Sequence, residues 1–288
     1  MKNILLTGCT GFIGSNILKE ISKKNKIFLI IRKKGKKIIK KNEKYIYYKN
    51  YKELNHKLKK LKIDTVIHTA THYAKKHKFE DIQKFSNSNI LLGNIILENL
   101  KYMGVKKFIN FSTVWEDYNS KKDNLFNLYS AYKKSFSNIL SFYKKENIKV
   151  KFYNLILSDT FGYNDNRKKI INVLRLNYKK NLLTEINSKN LYLNLVNNED
   201  ITKAVSVICN KSIKPGKYIL KNSKHFKISK IINEFNKKYD RKIKVKWLSK
   251  KNIFEKIYPY KKIRDWKPVK SNISDIIKII KNEKNLLR

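Results

Sequence analysis

Asn3-Ile4-Leu5-Leu6-Thr7-Gly8-Cys9-Thr10-Gly11-Phe12-Ile13-Gly14 is the stretch that decides the fold. Asn3 to Thr7 has the short apolar character of a buried strand, and helical periodicity runs from Phe12 to about Lys24. Between them stand Gly8, Gly11 and Gly14, three of the eight glycines in 288 residues. Each has a separate physical task. Gly8 permits the tight turn, Gly11 lets backbone amides approach a pyrophosphate, and Gly14 allows the helix to pack closely on the strand. The helix amino terminus adds N–H groups and the positive end of its dipole. A strand, this turn and a helix together predict a dinucleotide site at Gly8, Gly11, Phe12, Ile13 and Gly14, with Thr7 at its edge.

Outward from this turn, short β-branched runs alternate with longer helical patterns, as parallel βαβ units require. Strands are predicted at Ile27 to Ile31, Tyr45 to Tyr48, Ile63 to His68, Phe108 to Phe111 and Val150 to Leu157. Long helices are predicted from Phe79 to Tyr102 and from Leu128 to Glu146. The fold class is therefore α/β, a doubly wound parallel sheet of the Rossmann type, with a smaller carboxyl-terminal substrate-binding α/β region. Residues 1–157 form the dinucleotide-binding domain in this reading. Residues 158–288 are mainly substrate-binding, with 191–210 returning to the Rossmann core. Later helices are expected over Lys168 to Lys179, from near Glu199, over Ile228 to Tyr239 and over Ile273 to Ile280. Strands are expected at Leu191 to Val196, Tyr218 to Leu220 and Ile243 to Trp247.

Composition narrows the classes. At 41% hydrophobic and 12% aromatic, the chain can bury enough apolar surface to offset its ordering entropy. Cys9 and Cys209 are its only cysteines, which excludes a disulfide framework and a four-cysteine zinc site. No run approaches the roughly 20 apolar residues of a membrane span, and no cleavable leader is visible, so a cytoplasmic location is expected. The formal charge of +45 normally points to nucleic acid. Here lysine supplies 61 of the 67 basic residues and is spread through nearly every segment. A dedicated groove would concentrate cations and favour arginine, so no specific nucleic-acid partner is expected. His68-x-x-x-His72 has metal spacing only on a helix, and His68 ends a strand, so no metal is expected.

The same residues resemble the extended short-chain dehydrogenase/reductase family, the NAD-dependent epimerase/dehydratases, whose members open with T-G-x-x-G-F-I-G. The resemblance covers nearly the whole length. Asp64-Thr65-Val66-Ile67-His68-Thr69-Ala70 is similar to the family's fourth-strand motif, which implies a cofactor contact at Ala70. Asn89 to Gly93 resembles its N-x-x-G-T helix motif, with Asn94 in place of threonine. Asp200 matches an aspartate at the start of a late helix, and Arg264-Asp265-Trp266-Lys267-Pro268 is similar to a G-W-x-P near the carboxyl terminus, without the glycine. Cofactor choice is read at the end of the second strand, where Ile30-Ile31-Arg32-Lys33 offers no acid for a ribose 2′-hydroxyl. Arg32 would suit a 2′-phosphate, so NADP(H) is favoured over NAD(H).

Tyr-x-x-x-Lys is the family's catalytic pair, and composition makes it common here. Chance alone gives about four such spacings from 18 tyrosines and 61 lysines, and six occur. Placement decides among them. Only Tyr129-Ser130-Ala131-Tyr132-Lys133 opens the helix after the fifth strand, where spacing by four sets both side chains on one face. That strand runs into Ser112-Thr113, whose hydroxyls are suited to a substrate carbonyl. Ser112, Thr113, Tyr129 and Lys133 are thus the predicted catalytic set, with Tyr129 and Lys133 also touching cofactor as the resemblance implies.

Within the family, sugar-nucleotide dehydratases carry an Asp-Glu pair after the catalytic threonine, where this chain has Val114-Trp115. The strings around Trp115, Tyr129 and Asp159 most resemble the CDP-abequose and CDP-paratose synthase branch of NADPH-dependent 4-ketoreductases. That resemblance implies reduction of the C4 keto group of a nucleotide-linked deoxysugar, CDP-linked by preference, for surface polysaccharide synthesis. It implies Trp115, Arg167 and Lys169 as substrate-binding residues, and a homodimer is the expected assembly. An NAD-retaining 4-epimerase is the alternative on the same fold. A non-catalytic dinucleotide-fold protein that holds RNA or an anionic partner is the alternative from another class.

Overall fold

A computed structural model describes residues 1–31 and 42–283 of the chain. Strand β1 (Asn3–Thr7) passes through the glycine turn into α1 (Phe12–Ile21), and β2 (Lys26–Ile31) returns in parallel with Leu29 opposite Leu6. Next come β3 (Glu43–Tyr47), α2 (Tyr51–Lys59) and β4 (Thr65–His68). A long helical segment then comprises α3 (Phe79–Phe85), a wide π turn over Ser86–Leu91, α4 (Leu92–Glu98) and α5 (Leu100–Met103). The first half closes with β5 (Lys107–Thr113), a tight turn over Val114–Ser120, α6 (Leu128–Glu146) and β6 (Lys151–Leu157).

The second half begins with β7 (Asp159–Phe161), α7 (Ile170–Lys180), β8 (Thr184–Ile186), β9 (Leu191–Leu193) and β10 (Leu195–Asn197). It continues through α8 (Asn198–Asn210), β11 (Gly216–Leu220), β12 (Phe226–Lys227) and α9 (Ile228–Lys238). It ends with β13 (Val245–Trp247), β14 (Ile253–Phe254) and α10 (Ile273–Lys281).

Seven parallel strands form one sheet in the order β11-β6-β5-β4-β1-β2-β3. The order reverses between β1 and β4, and a crevice opens at the carboxyl ends of those strands. Both faces are covered, as an all-parallel sheet requires. In β1, Ile4 and Leu6 pack with Ile17 of α1 and Ile201 of α8, while Leu5 packs with Ile96 of α4 and Phe136 of α6. All three strand residues are fully buried, each worth about 2 kcal/mol of transfer free energy. A separate core around Phe161, Leu174, Phe235 and Ile276 joins α7, α9 and α10 in the smaller region. Among the described residues, no helix is long and apolar enough to cross a membrane.

Several elements differ from the sequence expectation, each for a local reason. The helix expected over Phe79 to Tyr102 is interrupted by the π turn, which turns Asn89 inward. There its side chain accepts from the His72 amide at 2.7 Å and donates to the His72 carbonyl at 3.1 Å. The strand expected at Leu191 to Val196 is split at Asn194, whose buried amide bridges the Asn222 backbone (2.8 and 3.0 Å). The fifth strand extends to Thr113, so Ser112 and Thr113 pair with Ile156 and Leu157 inside the sheet. Tyr218 to Leu220, read from sequence as a strand of the carboxyl-terminal remainder, is the edge of the main sheet, with Leu220 opposite Leu157.

Candidate active site

The crevice is a cleft of about 700 Å³. Its floor is the glycine turn. Gly8 has φ +68°, and a side chain there would set a Cβ 2.6 Å from the Ala70 nitrogen and 2.7 Å from Thr69 Oγ1. At Gly14 a Cβ would collide with the Gly8 carbonyl, so α1 lies on the turn only because position 14 has none. A Cβ on Gly11 would meet only the Gly8 oxygen, at 3.2 Å. No side chain caps the amino terminus of α1, which leaves its first N–H groups to an anion. Gly8, Gly11, Phe12, Ile13, Gly14 and Ala70 all line the cleft.

Thr7 serves this floor from behind. It is fully buried and absent from the cleft wall; its Oγ1 accepts from the Ala70 amide at 3.1 Å. Thr7 Oγ1 also hydrogen-bonds His68 Nδ1, 2.9 Å away. Burial, with the Lys133 charge adding to it, pushes His68 down to about 3, so the ring is neutral at ordinary pH. Arg32 lies outside the described residues.

The opposite wall is the start of α6. A reciprocal cap fixes that start: Asn127 Oδ1 accepts from the Ser130 amide at 3.0 Å, and Ser130 Oγ accepts from the Asn127 amide at 3.0 Å. Asn127 Nδ2 also donates to the Lys75 carbonyl at 3.0 Å, tying α6 to the loop after β4. Tyr129 is thereby held against Tyr73 (ring centroids 5.1 Å apart), Trp115 (6.5 Å) and Phe85 (6.5 Å). Burial pushes its phenol well above the usual range, while the Arg167 charge and a hydrogen bond with Thr71 oppose the shift. One turn along, Lys133 is buried, and its ammonium has no hydrogen bond or ion pair among the described residues. Burial pulls it down to about 8, and Glu116 resists.

Ser112 and Thr113 both line the cleft, as does Tyr129. Thr113 Oγ1 accepts from the Trp115 amide at 3.3 Å, which leaves its own proton to donate. Ser112 Oγ is shut from solvent and has no partner among the described residues.

Trp115, Arg167 and Lys169 line the cleft too, and two of them are already engaged. Arg167 forks onto Asp165 (Nε to Oδ1 2.8 Å, Nη2 to Oδ2 2.9 Å) and lies 4.3 Å over the Phe12 ring. It links the segment after β7 to the glycine turn. Lys169 pairs with Asp159 at 2.6 Å and rests 4.3 Å above Trp115 and 5.3 Å from Tyr73. Burial alone would lower Lys169, yet Asp159 and Tyr73 hold it above its usual value. Glu255 stands behind this cluster. Burial, then Asp159, push it up to about 7 against Lys169 and a Trp115 hydrogen bond.

Sequence reasoning did not single out Tyr73, Glu116, Asp159 or Glu255 as site residues. Asp159 and Glu116 carried a signal, since only 22 acids occur in the chain and these two lie within three residues of the ends of β6 and β5. Tyr73 and Glu255 reach the cluster through tertiary packing and carried none.

The residues present fit a dinucleotide: the glycine floor is shaped by missing Cβ atoms, and Lys133 is a buried cation with nothing to hold. A profile of the NAD dependent epimerase/dehydratase family matches residues 4–220. Among curated proteins, the CDP-abequose synthase of Yersinia pseudotuberculosis is 30% identical over 207 residues, 71% of this chain and 72% of that protein. The UDP-glucose 4-epimerase of Thermotoga maritima, solved with UDP-glucose, superposes with a TM-score of 0.77 at 18% identity, covering 96% of this chain and 97% of that one. The UDP-glucose 4-epimerase of Thermus thermophilus, solved with NAD, gives 0.75 at 16% identity over 98% and 100% of the two chains. At such identities the structures speak for the fold alone.

Proposed function

This chain belongs to the NAD dependent epimerase/dehydratase family and is a nucleotide-sugar-modifying enzyme; from that premise we propose that it reduces the C4 keto group of a nucleotide-linked deoxysugar, CDP-linked by preference, with NADP(H). The observation that carries reduction over epimerisation is the 30% identity to a CDP-abequose synthase across 71% of the chain. The likeness to 4-epimerases rests on fold at 18% identity or less. Val114-Trp115 in place of an acid pair agrees with this choice over dehydration.

Gly8, Gly11, Phe12, Ile13, Gly14, Ala70 and Lys133 would hold the dinucleotide, which supplies the hydride when bound. This chain's residues manage the oxygen at the reacting carbon. As a ketone gains alkoxide character it must receive a proton, and Tyr129 is the acid at the cleft wall. Its raised phenol keeps the proton until negative charge develops opposite it. Thr113 holds a hydroxyl proton for the same oxygen, and Ser112, whose Oγ is shut from solvent, backs it in the strand. Lys133 steadies the phenolate left on Tyr129. Trp115 and Tyr73 form an apolar wall that excludes water, with Lys169 and Asp159 beside it as a locked pair. NADP(H) is supported by the absence of an acid in Ile30-Ile31-Arg32-Lys33. Arg32→Asp is expected to lower kcat/KM with NADPH about tenfold or more relative to NADH, from a lost charge-assisted bond and added repulsion. An unchanged ratio removes Arg32 from the site.

The function is tested by incubating the protein and NADPH with CDP-, dTDP-, UDP- and GDP-linked 4-keto deoxysugars. Loss of NADPH absorbance with a CDP-sugar supports the reading. No consumption with any of the four refutes it.

A further inference from the structure

We propose that Glu116 is a positioning residue for the catalytic pair, a buried carboxylate fixed one turn along α6 from Lys133 that keeps the Lys133 ammonium charged inside the cleft wall. The inference rests on the reading of Tyr129 and Lys133 as that pair. Glu116 is 0% exposed, in the tight turn that follows β5. Both its oxygens accept from Ser137 Oγ, at 3.1 and 3.3 Å. Ser137 is four residues beyond Lys133 and buried with it on the same helical face. The hydroxyl cannot turn away, because Asn154 Nδ2 donates to it at 3.1 Å and Asn110 Nδ2 donates to Asn154 Oδ1 at 2.8 Å. A chain of polar groups from β5 and β6 thus aims the single Ser137 proton at Glu116.

One hydroxyl does not compensate an ionised carboxylate sealed from water, so a cation must. Lys133 and Lys134 of α6 and Lys217 of β11 face Glu116 electrostatically, as do the Tyr129 and Tyr260 phenols, and Asp117 adjoins it. Lys134 is committed to Asp123 at 2.6 Å and Asp117 at 3.5 Å, and Lys217 is exposed. Lys133 alone among these three cations is buried and unspent. The two groups are not in ion-pair contact, so Glu116 acts through the field and leaves the Lys133 donors for a ligand. Burial has pushed Glu116 up to about 7, against the Lys217 charge and then that of Lys133, and has pulled Lys133 down to about 8, against Glu116. Without the carboxylate, Lys133 would shed its proton nearer neutrality and lose its hold on the phenol.

The test titrates Lys133 directly in the full chain, without any sugar substrate. Trace labelling with acetic anhydride across pH, read by peptide mass spectrometry, reports the Lys133 midpoint. Glu116→Gln should move that midpoint down by about one pH unit, and Glu116→Asp, which keeps the charge, should return most of it. An unmoved midpoint in Glu116→Gln overturns the proposal. Should that variant fail to fold, Lys133→Met gives the reciprocal reading. The infrared carbonyl band of the protonated buried carboxyl should then persist to higher pH than in the parent protein, and a band that titrates unchanged overturns the proposal as well. A shifted midpoint in a protein that reduces no keto sugar would leave the coupling standing and refute only the function proposed above.

Discussion

The two ends of the cleft are built on opposite principles. At the glycine end the surface is backbone, and its shape comes from atoms that are missing: the Cβ of Gly8 and the Cβ of Gly14 have no room. At the other end the surface is long side chains locked in pairs, Lys169 on Asp159 and Arg167 on Asp165, with Lys133 and Glu116 buried near Tyr129 and Trp115. Backbone shape is fixed before any ligand arrives. Buried charge instead depends on partners from distant segments, so the second end is the one whose chemistry responds to pH and substitution.

This contrast can be broken most sharply at Gly14. A Cβ there collides with the Gly8 carbonyl, a backbone atom that cannot swing aside, so Gly14→Ala is expected to abolish saturable dinucleotide binding in a fluorescence titration. Next in size is Tyr129→Phe, expected to cut turnover by about 10²–10⁴ while dinucleotide affinity stays within a few-fold, since the ring packing survives. Tyr118→Phe is its control. Tyr118 also heads a Tyr-x-x-x-Lys but packs on Phe126 at 4.6 Å, outside the cleft wall, and should keep nearly full activity.

Smaller, and specific to the charged end, is the pH dependence of stability. Glu116 holds its proton up to about 7 in the fold against an ordinary 4.5, so its contribution is fully present below pH 4.5 and is lost as pH rises through 7. Glu116→Gln should therefore gain on the parent protein between those values, by up to about 3 kcal/mol at pH 8.5 in urea unfolding. A constant difference across that window would mean that the carboxyl is not buried as described. The smallest effect belongs to Gly104, which shares the positive φ of Gly8 (+71°) but has nothing near its Cβ position. Gly104→Ala should cost only the left-handed backbone penalty, about 1 kcal/mol, and leave binding untouched.

How far the sequence could be read follows the same divide. The turn from Thr7 to Gly14 is local, so its spacing carried both the fold and the floor of the cleft. The placement of Tyr129 and Lys133 one turn apart on α6 was legible because both lie at one helix start, although the cap by Asn127 and Ser130 that fixes that start went unremarked. Ser112 was legible as a hydroxyl at a strand end, but its lack of a partner emerges only from the packing around it. Glu116, Asp159 and Glu255 were not read as site residues, because each acquires its meaning from groups distant in sequence, as Glu255 does from Asp159 and Trp115. Asn194 and the π turn went unseen for a related reason: both interrupt a correct periodicity to satisfy backbone groups of other segments, Asn222 and His72.

The central claim, net reduction at C4, is tested most directly with NADPH deuterated at the transferable position of its nicotinamide and a CDP-linked 4-keto deoxysugar. Net reduction requires one deuterium at C4 of the product for each NADPH consumed, with no tightly held NAD⁺ released on denaturing the purified protein. Unlabelled C4 epimers interconverting without NADPH loss, on a protein that carries bound NAD⁺, would contradict it.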